Sequence, residues 1–267
     1  MSGSPRPKPG NSPPLGRRAV LKLGAALPIA LWGGRAFGLG AKARVQLAQL
    51  RYAGGNATPR PTALARLAWE VEKRTSIDVA PEVAQVRVSD RALFAHPLLY
   101  LSGDAAFEPF PEADVARLQR FLIYGGTLLV DAADPHPGGP FDRSARQLVA
   151  ALFPDRGLQA VKPQHTLHRS FYLLERAVGR VMTAPALEAV ERDGRLVVIY
   201  SMNDLGGAWA RDNFGQWEHG VYPGGERQRE LAFRWGVNVV MYALCDDYKA
   251  DQVHIPFILK RRKWQVK

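Results

Sequence analysis

The chain has 267 residues, of which 46% are hydrophobic and 23% charged, a composition typical of a globular protein with one large or two small domains. Its formal charge of +11 comes from the two ends: of the 36 Lys and Arg residues, seven lie in residues 1–43, which lack acidic residues, and five in residues 260–267. Residues 44–259 carry 24 basic and 25 acidic residues, so the body has no basic stripe and nucleic acid is excluded from the expected partners.

Residues 1–43 have the pattern of a twin-arginine export signal. Arg17 and Arg18 precede an apolar stretch with small residues beyond it, which is the order of regions in such signals. The apolar stretch 19–32 has 14 residues, fewer than the roughly 20 that span a bilayer. We therefore expect the twin-arginine translocase to export the chain to the periplasm. An uncleaved signal that anchors the chain in the membrane is the alternative.

From residue 45 onward, strand patterns alternate with helix patterns. The helices carry apolar residues at three- and four-residue steps, and the second helix is stopped by Gly125 and Gly126. Asp193 and Gly194 separate two late strands and are typical of a tight hairpin turn. The predicted strands are 45–52, 83–88, 97–103, 127–131, 186–192 and 195–201. A first helix is predicted to open after 58–62 and to carry its apolar face between 64 and 71, and the later predicted helices are 112–124, 141–153 and 226–244.

This alternation predicts an α/β fold in three layers, a mostly parallel sheet with helices on both faces. The hairpin adds antiparallel strands near one edge, toward the C-terminal end. We expect three parts: a disordered leader with the signal over 1–43, the α/β domain over 44–248 and a basic tail over 249–267. Trp264 lies among the basic residues of the tail, which predicts either contact with anionic lipid head groups or a solvated end.

Open parallel sheets bind ligands beyond the carboxyl ends of their strands, and polar residues follow several of the predicted strands. Ser102 stands where a nucleophile could be exposed, but the paired glycines of a nucleophile elbow are absent, so a simple turn residue is the alternative. The candidate catalytic residues are Ser102, Asp131, His168 and Asp204, and the candidate ligand-binding residues are Asp104, Asn203, Trp209 and Arg211.

Asp131, Asp134 and His136 lie close together in the sequence and are weak candidates for metal ligands. Asp and His bind zinc and harder divalent ions, but this spacing is not a known ligand signature, and a turn-rich loop is the alternative. His168 would be a distant partner, supplied by a segment, 165–172, that we expect to be extended. The sequence identifies no cofactor.

Two further features carry no predicted chemistry. The loop 203–209 contains glycines but follows a strand without opening a helix, so we do not expect it to be a phosphate-cradling loop. Cys245 is the single cysteine and lies in an apolar run, which predicts a buried, inert thiol. Because no cysteine follows a strand, cysteine nucleophile chemistry is excluded.

The order of several short segments along the chain carries a family resemblance. These segments are 50–55, 77–79, 97–103, 124–131, 168–172, 203–206 and 236–238. In this order they resemble the bacterial domain of unknown function family 4159. The resemblance implies the class I glutamine amidotransferase-like superfold, which is flavodoxin-like, and frequent export or membrane anchoring.

The resemblance also shows where this chain differs from its relatives. Ser102 stands where the amidotransferase cysteine would be. Gly103-Asp104 and Asp131-Ala132 replace the Gly-His pair and the paired acidic residues of many relatives. A glutamine amidotransferase reaction is therefore not expected, and any inherited polar site is weakened.

Two functions are predicted from these observations. The first is a non-catalytic binding or assembly module in the periplasm, whose partner is a protein or a small molecule. The alternative is a periplasmic hydrolase, metal-assisted or not, that uses Asp131, His136, His168 and Asp204. Convergence of these four side chains on one pocket would favour the hydrolase.

Overall fold

A computed structural model describes residues 44–245. Within them, seven strands form one sheet in the order β2-β1-β3-β4-β7-β6-β5. The strands are β1 (Ala48–Arg51), β2 (Ala84–Arg87), β3 (Leu98–Gly103), β4 (Thr127–Ala132), β5 (Gln159–Ala160), β6 (Glu188–Arg192) and β7 (Arg195–Ser201). The helices are α1 (Ala63–Arg74), α2 (Glu112–Ile123), α3 (Pro140–Leu152), α4 (Leu205–Trp209) and α5 (Gly225–Leu244).

The sheet is mostly parallel, as predicted. Strands β2, β1, β3, β4 and β7 pair in parallel, and β6 pairs antiparallel with both β7 and β5. Asp193 and Gly194 join β6 to β7 with positive φ angles of 51° and 75°, the backbone that a two-residue hairpin turn requires. The antiparallel addition at one edge is therefore confirmed.

Helices cover both faces of the sheet because the side chains of a strand alternate between the faces. In β3, Tyr100 packs in a core with α1, α4 and α5. Leu99 and Leu101 pack in a second core with α2 and α3. Within residues 44–245, none of the helices has both the length and the apolar character needed to cross a membrane.

Two local predictions are wrong. Residues 165–172 are not extended: Thr166–Arg169 is a 3-10 helix, and Nδ1 of His165 accepts the Leu167 amide hydrogen at 3.1 Å to start it. Residues 203–209 do open a helix, α4, which Asp204 caps from a left-handed backbone (φ 53°). Helix α4 gave no apolar periodicity because it has five residues, two of them glycine.

The predicted leader over 1–43 and the whole of the predicted basic tail over 249–267 lie outside the described residues. The export signal around Arg17 and Arg18, the lipid contact of Trp264 and the start of the tail at 249 therefore stay predictions.

Candidate functional site

Asp131 lies near the carboxyl end of β4, where the sequence predicted a site, and its side chain is fully buried. One carboxylate oxygen accepts the amide hydrogen of Leu205 at 2.9 Å. The other accepts the Gly206 amide hydrogen at 2.7 Å and the Tyr100 hydroxyl hydrogen at 2.8 Å. Both oxygens are thus engaged in holding the start of α4 against the sheet.

Burial shifts the pKa values of Asp131 and Tyr100. It raises the pKa of Asp131 above its usual range, and the nearby negative charge of Asp204 raises it further. The amides of Gly206 and Leu205 act in the opposite direction because they stabilise the carboxylate. Burial also raises the pKa of Tyr100 well above its usual value, with Asp131 adding to the rise, so Tyr100 stays a neutral donor.

Asp204 follows β7 and is also fully buried. Its Oδ1 accepts the Gly207 amide hydrogen at 2.8 Å, which caps α4. Arg60 binds the same carboxylate through two donors, Nε to Oδ1 at 3.2 Å and Nη2 to Oδ2 at 2.8 Å. Nε of Arg180 also donates to Oδ2. Two guanidinium groups therefore meet at one buried carboxylate.

The side chains of Arg60 and Arg180 are the part of this cluster that reaches solvent. The side chain of Arg60 is 15% exposed and that of Arg180 is 26% exposed, whereas Asp204 is 0% exposed. Nη2 of Arg60 also donates to the Ala133 carbonyl at 3.2 Å. His219 lies within the field of both arginines, and its pKa is lowered by burial and then by these two positive charges.

The sequence prediction missed Arg60, Arg180 and His219. Arg60 lies eight residues beyond the predicted first strand, 45–52, and was not among the polar residues taken to follow it directly. Arg180 and His219 come from irregular segments that no periodicity marks. These residues can be recognised only from the three-dimensional structure, because their segments come together around Asp204, between β7 and α4.

The candidates Ser102, Asn203 and Asp104 lie at the same edge of the sheet, but two of them have structural partners. The Asn203 amide pairs with the Ala184 backbone, accepting its N–H and donating to its carbonyl, each at 2.8 Å. Asp104 is exposed and accepts a hydrogen bond from Asn56 at 3.1 Å. Ser102 is buried, and its hydroxyl makes no hydrogen bond to any described residue.

Two candidate ligand-binding residues have roles in packing. Trp209 is fully buried, and its indole N–H donates to the Ala232 carbonyl at 2.9 Å. Nε of Arg211 donates to the Gly215 carbonyl at 2.6 Å, and its guanidinium lies 4.9 Å from the centre of the Trp217 ring. Trp209 therefore anchors α4 to α5, and Arg211 closes a surface loop.

His168 does not join the acidic residues. Its Nδ1 lies 2.9 Å from the Leu174 carbonyl oxygen, and its ring packs edge-on against Trp235 of α5 with centroids 5.0 Å apart. It shares no hydrogen-bond partner with Asp131. His168 is therefore a core histidine in the layer that α5 forms.

The metal candidates are separated as well. Asp134 and His136 contact each other at 3.4 Å in an exposed loop, whereas Asp131 points to α4. Within residues 44–245, no three His, Cys, Asp or Glu side chains are grouped so that they could hold a metal ion. The four residues of the hydrolase alternative thus do not converge, apart from the neighbours Asp131 and Asp204.

Cys245 and the cavities lie away from the strand ends. Cys245 is half-buried rather than buried, and burial raises the pKa of its thiol, which disfavours the reactive thiolate. Two cavities of about 60 and 230 Å³ lie beside α3, and none of the candidate residues lines them.

Comparison with known proteins identifies a family. The model of a domain of unknown function (DUF4159) matches residues 46–244, which is most of the chain. The chain therefore belongs to the DUF4159 family, as the order of its short segments predicted. No curated protein matches the chain.

Proposed function

We propose that this member of the DUF4159 family is an exported binding module that does no chemistry with the acidic residues at its strand ends. The proposal rests on one observation: the carboxylates of Asp131 and Asp204 are already hydrogen-bonded within the domain. Both carboxylates are 0% exposed, and each is engaged by hydrogen bonds from within the domain.

A general base needs a carboxylate or imidazole within hydrogen-bond reach of the proton that it removes. The oxygens of Asp131 face two amides of α4 and one tyrosine hydroxyl, so a substrate would have to displace the start of that helix. Ser102 makes no hydrogen bond to a His, Asp or Glu that could activate it as a nucleophile. These arrangements support binding over catalysis.

Among the side chains at this edge that reach solvent, Arg60 and Arg180 carry N–H donors. Arg60 and Arg180 are held by Asp204, and three of their nitrogens make no hydrogen bond to a residue within 44–245. Fixed donors on a rigid sheet edge are typical of a recognition site, because little conformational entropy is lost when the ligand binds.

Two further parts of the proposal concern the fold and the destination. The parallel sheet with helices on both faces and an antiparallel edge supports the flavodoxin-like, amidotransferase-like superfold, without its nucleophile because Ser102 stands at that strand end. The Arg17-Arg18 pattern supports twin-arginine export to the periplasm of a domain covering about 44–248.

The catalytic part is tested with p-nitrophenyl acetate and p-nitrophenyl phosphate, each with and without added Zn²⁺ and Mn²⁺. We expect the purified chain to release p-nitrophenol no faster than the Asp131→Asn variant. Asp142→Asn is the matched control, because Asp142 is also buried and also accepts a tyrosine hydroxyl hydrogen, from Tyr200 at 2.8 Å. Turnover that Asp131→Asn abolishes and Asp142→Asn retains, with both variants folded, contradicts the proposal.

Export is tested separately by expressing the full chain in a bacterium that has the twin-arginine system and separating its compartments. The wild type should be recovered in the periplasmic or membrane fraction. Replacing both Arg17 and Arg18 with Lys should retain it in the cytoplasm, because the translocase reads the arginine pair. Recovery of that variant outside the cytoplasm at the wild-type level would rule out this route.

A further inference from the structure

We propose that Arg60 and Arg180 together form a binding site for a phosphate group at the carboxyl edge of the sheet. This inference rests on the proposed binding function and names the chemistry of its ligand. The site is called the arginine pair below.

The first argument is the number of free donors. A guanidinium group has five N–H groups on three nitrogens. Arg60 uses Nε and Nη2, and Arg180 uses Nε alone. Nη1 of Arg60 and both Nη nitrogens of Arg180 donate to no residue within 44–245. Three donor nitrogens of the pair are therefore available to a ligand.

The second argument is the position of the charges. Oδ2 of Asp204 accepts from both arginines, so the two guanidinium groups lie side by side around one atom. The carboxylate between them is 0% exposed, and the side chains of the arginines are 15% and 26% exposed. An approaching ligand therefore meets positive groups and not the carboxylate that holds them.

The other ionisable groups around the pair do not cover these donors. Asp131 is buried and bound to α4. Glu218 accepts the Thr62 hydroxyl hydrogen at 2.7 Å. His219 is partly buried, and burial and then the positive charges of Arg60 and Arg180 lower its pKa.

The third argument is that the pair is fixed before a ligand arrives. The backbone of Arg180 is held on both sides: its N–H donates to the Asp204 carbonyl and its carbonyl accepts the Tyr222 N–H, each at 2.9 Å. Nε2 of the buried Gln228 donates to the carbonyls of Gly179 at 2.8 Å and Tyr222 at 2.9 Å. Preorganised arginine forks lose less side-chain entropy per hydrogen bond that they form.

The number of free donors and their division between two guanidinium groups favour phosphate over carboxylate. A carboxylate has two oxygens in one plane and suits a single guanidinium fork. A phosphate group has at least three acceptor oxygens in a tetrahedral arrangement and can accept from two guanidinium groups that are not coplanar. Three free donor nitrogens on two arginines match that arrangement.

The experiment titrates the full-length chain with inorganic phosphate, with glycerol phosphate and with acetate, by calorimetry at constant ionic strength. We expect both phosphate probes to bind at least tenfold more tightly than acetate. Stronger binding of glycerol phosphate would identify a phosphate ester as the ligand class, and equal binding would identify phosphate itself. Binding of acetate as tight as that of phosphate overturns the assignment.

Two variants locate the site. Arg180→Gln should weaken phosphate binding about tenfold or more, since charge-assisted hydrogen bonds of this kind each contribute about 1.5 kcal/mol or more. Arg146→Gln is the matched control, because Arg146 also binds a buried carboxylate, that of Asp142 at 2.8 Å, on the opposite face of the sheet. The control should bind phosphate like the wild type.

Folding of each variant is checked by circular dichroism. If Arg180→Gln does not fold, Arg180→Lys replaces it: the charge is kept and the fork is lost, so binding should weaken severalfold. Equal phosphate binding by the wild type and the folded Arg180 variant overturns the site. If phosphate does not bind and the p-nitrophenyl assays show no turnover, phosphate is wrong as the ligand but the proposed binding function stands. Turnover that depends on Asp131 would instead contradict the proposed function itself.

Discussion

Each face of the sheet contains a buried pair of an aspartate and a tyrosine, and the two pairs differ in what surrounds them. On the face of α1, α4 and α5, Tyr100 donates to Asp131 at 2.8 Å. On the face of α2 and α3, Tyr200 donates to Asp142, also at 2.8 Å. The hydrogen bonds have the same length, so the pair alone does not distinguish a site from a structural contact.

The neighbours make the difference. Asp142 accepts the Gly138 amide hydrogen at 2.7 Å and an Arg146 donor at 2.8 Å, and Arg146 continues to Glu188. All three nitrogens of the Arg146 guanidinium are therefore used within the domain. Asp131 instead adjoins a second buried carboxylate, Asp204, whose two arginines keep unused N–H groups at the surface. The difference between the two networks is thus that Arg60 and Arg180 keep nitrogens without a hydrogen-bond acceptor in the described residues, whereas Arg146 does not.

The largest effect that would sharpen this comparison is expected from Asp204→Ala. The change removes the cap of α4 and leaves the partly buried Arg60 and Arg180 without their shared partner, so the free energy of unfolding should fall by about 3–5 kcal/mol. Urea denaturation followed by circular dichroism measures it. Asp134→Ala, in an exposed loop, is the control and should cost less than about 0.5 kcal/mol. Similar losses for both variants would show that the cluster is not a source of stability.

The next effect is the pH dependence that Asp131 gives to the stability of the domain. Burial and Asp204 raise the pKa of Asp131 to about 6 from an ordinary value of 3.8. A carboxyl group with a raised folded-state pKa binds its proton more tightly in the folded protein. Its stabilising contribution is therefore complete below about pH 4 and is lost as the pH rises through 6.

The wild type should accordingly lose on the order of 2 kcal/mol of unfolding free energy between pH 4 and pH 6, relative to the Asp131→Asn variant measured at the same pH values. The variant does not lose this contribution because asparagine does not titrate. Urea denaturation at several pH values, with both proteins in the same buffers, measures this shift. A constant difference across that range would show that Asp131 titrates normally in the folded protein.

A smaller effect tests whether the two pairs are energetically alike. Tyr100→Phe and Tyr200→Phe each remove one buried hydrogen bond to an aspartate, so each should lower the free energy of unfolding by about 1–2 kcal/mol. Thermal and urea denaturation of both variants provide the comparison. Phosphate binding should be unchanged in Tyr200→Phe. A loss of binding in that variant would mean that the α2–α3 face contributes to the site.

The smallest effect is expected on the face of α2 and α3. Glu188→Gln removes the partly exposed ion pair with Arg146 and should cost about 0.5 kcal/mol at low salt, with the cost decreasing as the salt concentration rises. Denaturation at two salt concentrations measures it. A cost above about 2 kcal/mol that salt does not reduce would show that Glu188 is needed to hold Arg146 against Asp142.

The sequence predicted the elements with strong periodicity and the edge at which the polar groups gather. The apolar runs that became β3, β4 and β7 are unambiguous. The rule for strand ends selected Asp131 and Asp204 as candidates, and the structure places the two carboxylates near each other. The prediction failed where a short element lacks periodicity, as in α4, and where an aromatic residue in an irregular region, Trp209, proved to be part of the core.

The arginine pair could not be predicted because its defining property is a meeting of distant segments. Arg60 precedes α1, and Arg180 lies in a loop between β5 and β6. Neither has a neighbour in the sequence that indicates its partner. Their common ligand, Asp204, was a candidate for catalysis and is instead the group that holds them.

The separation of these residues along the chain has a consequence for when the arginine pair can exist. Arg60 and Asp204 are 144 residues apart, and Asp131 and Gly206 are 75 apart. Contacts that close such long loops have a high entropic cost and form late in folding, after nearer ones have reduced the distance. The pair is therefore a marker of finished folding: a nascent chain that ends before residue 204 lacks the carboxylate, and only a protein that has joined its two halves can present both arginines to a ligand.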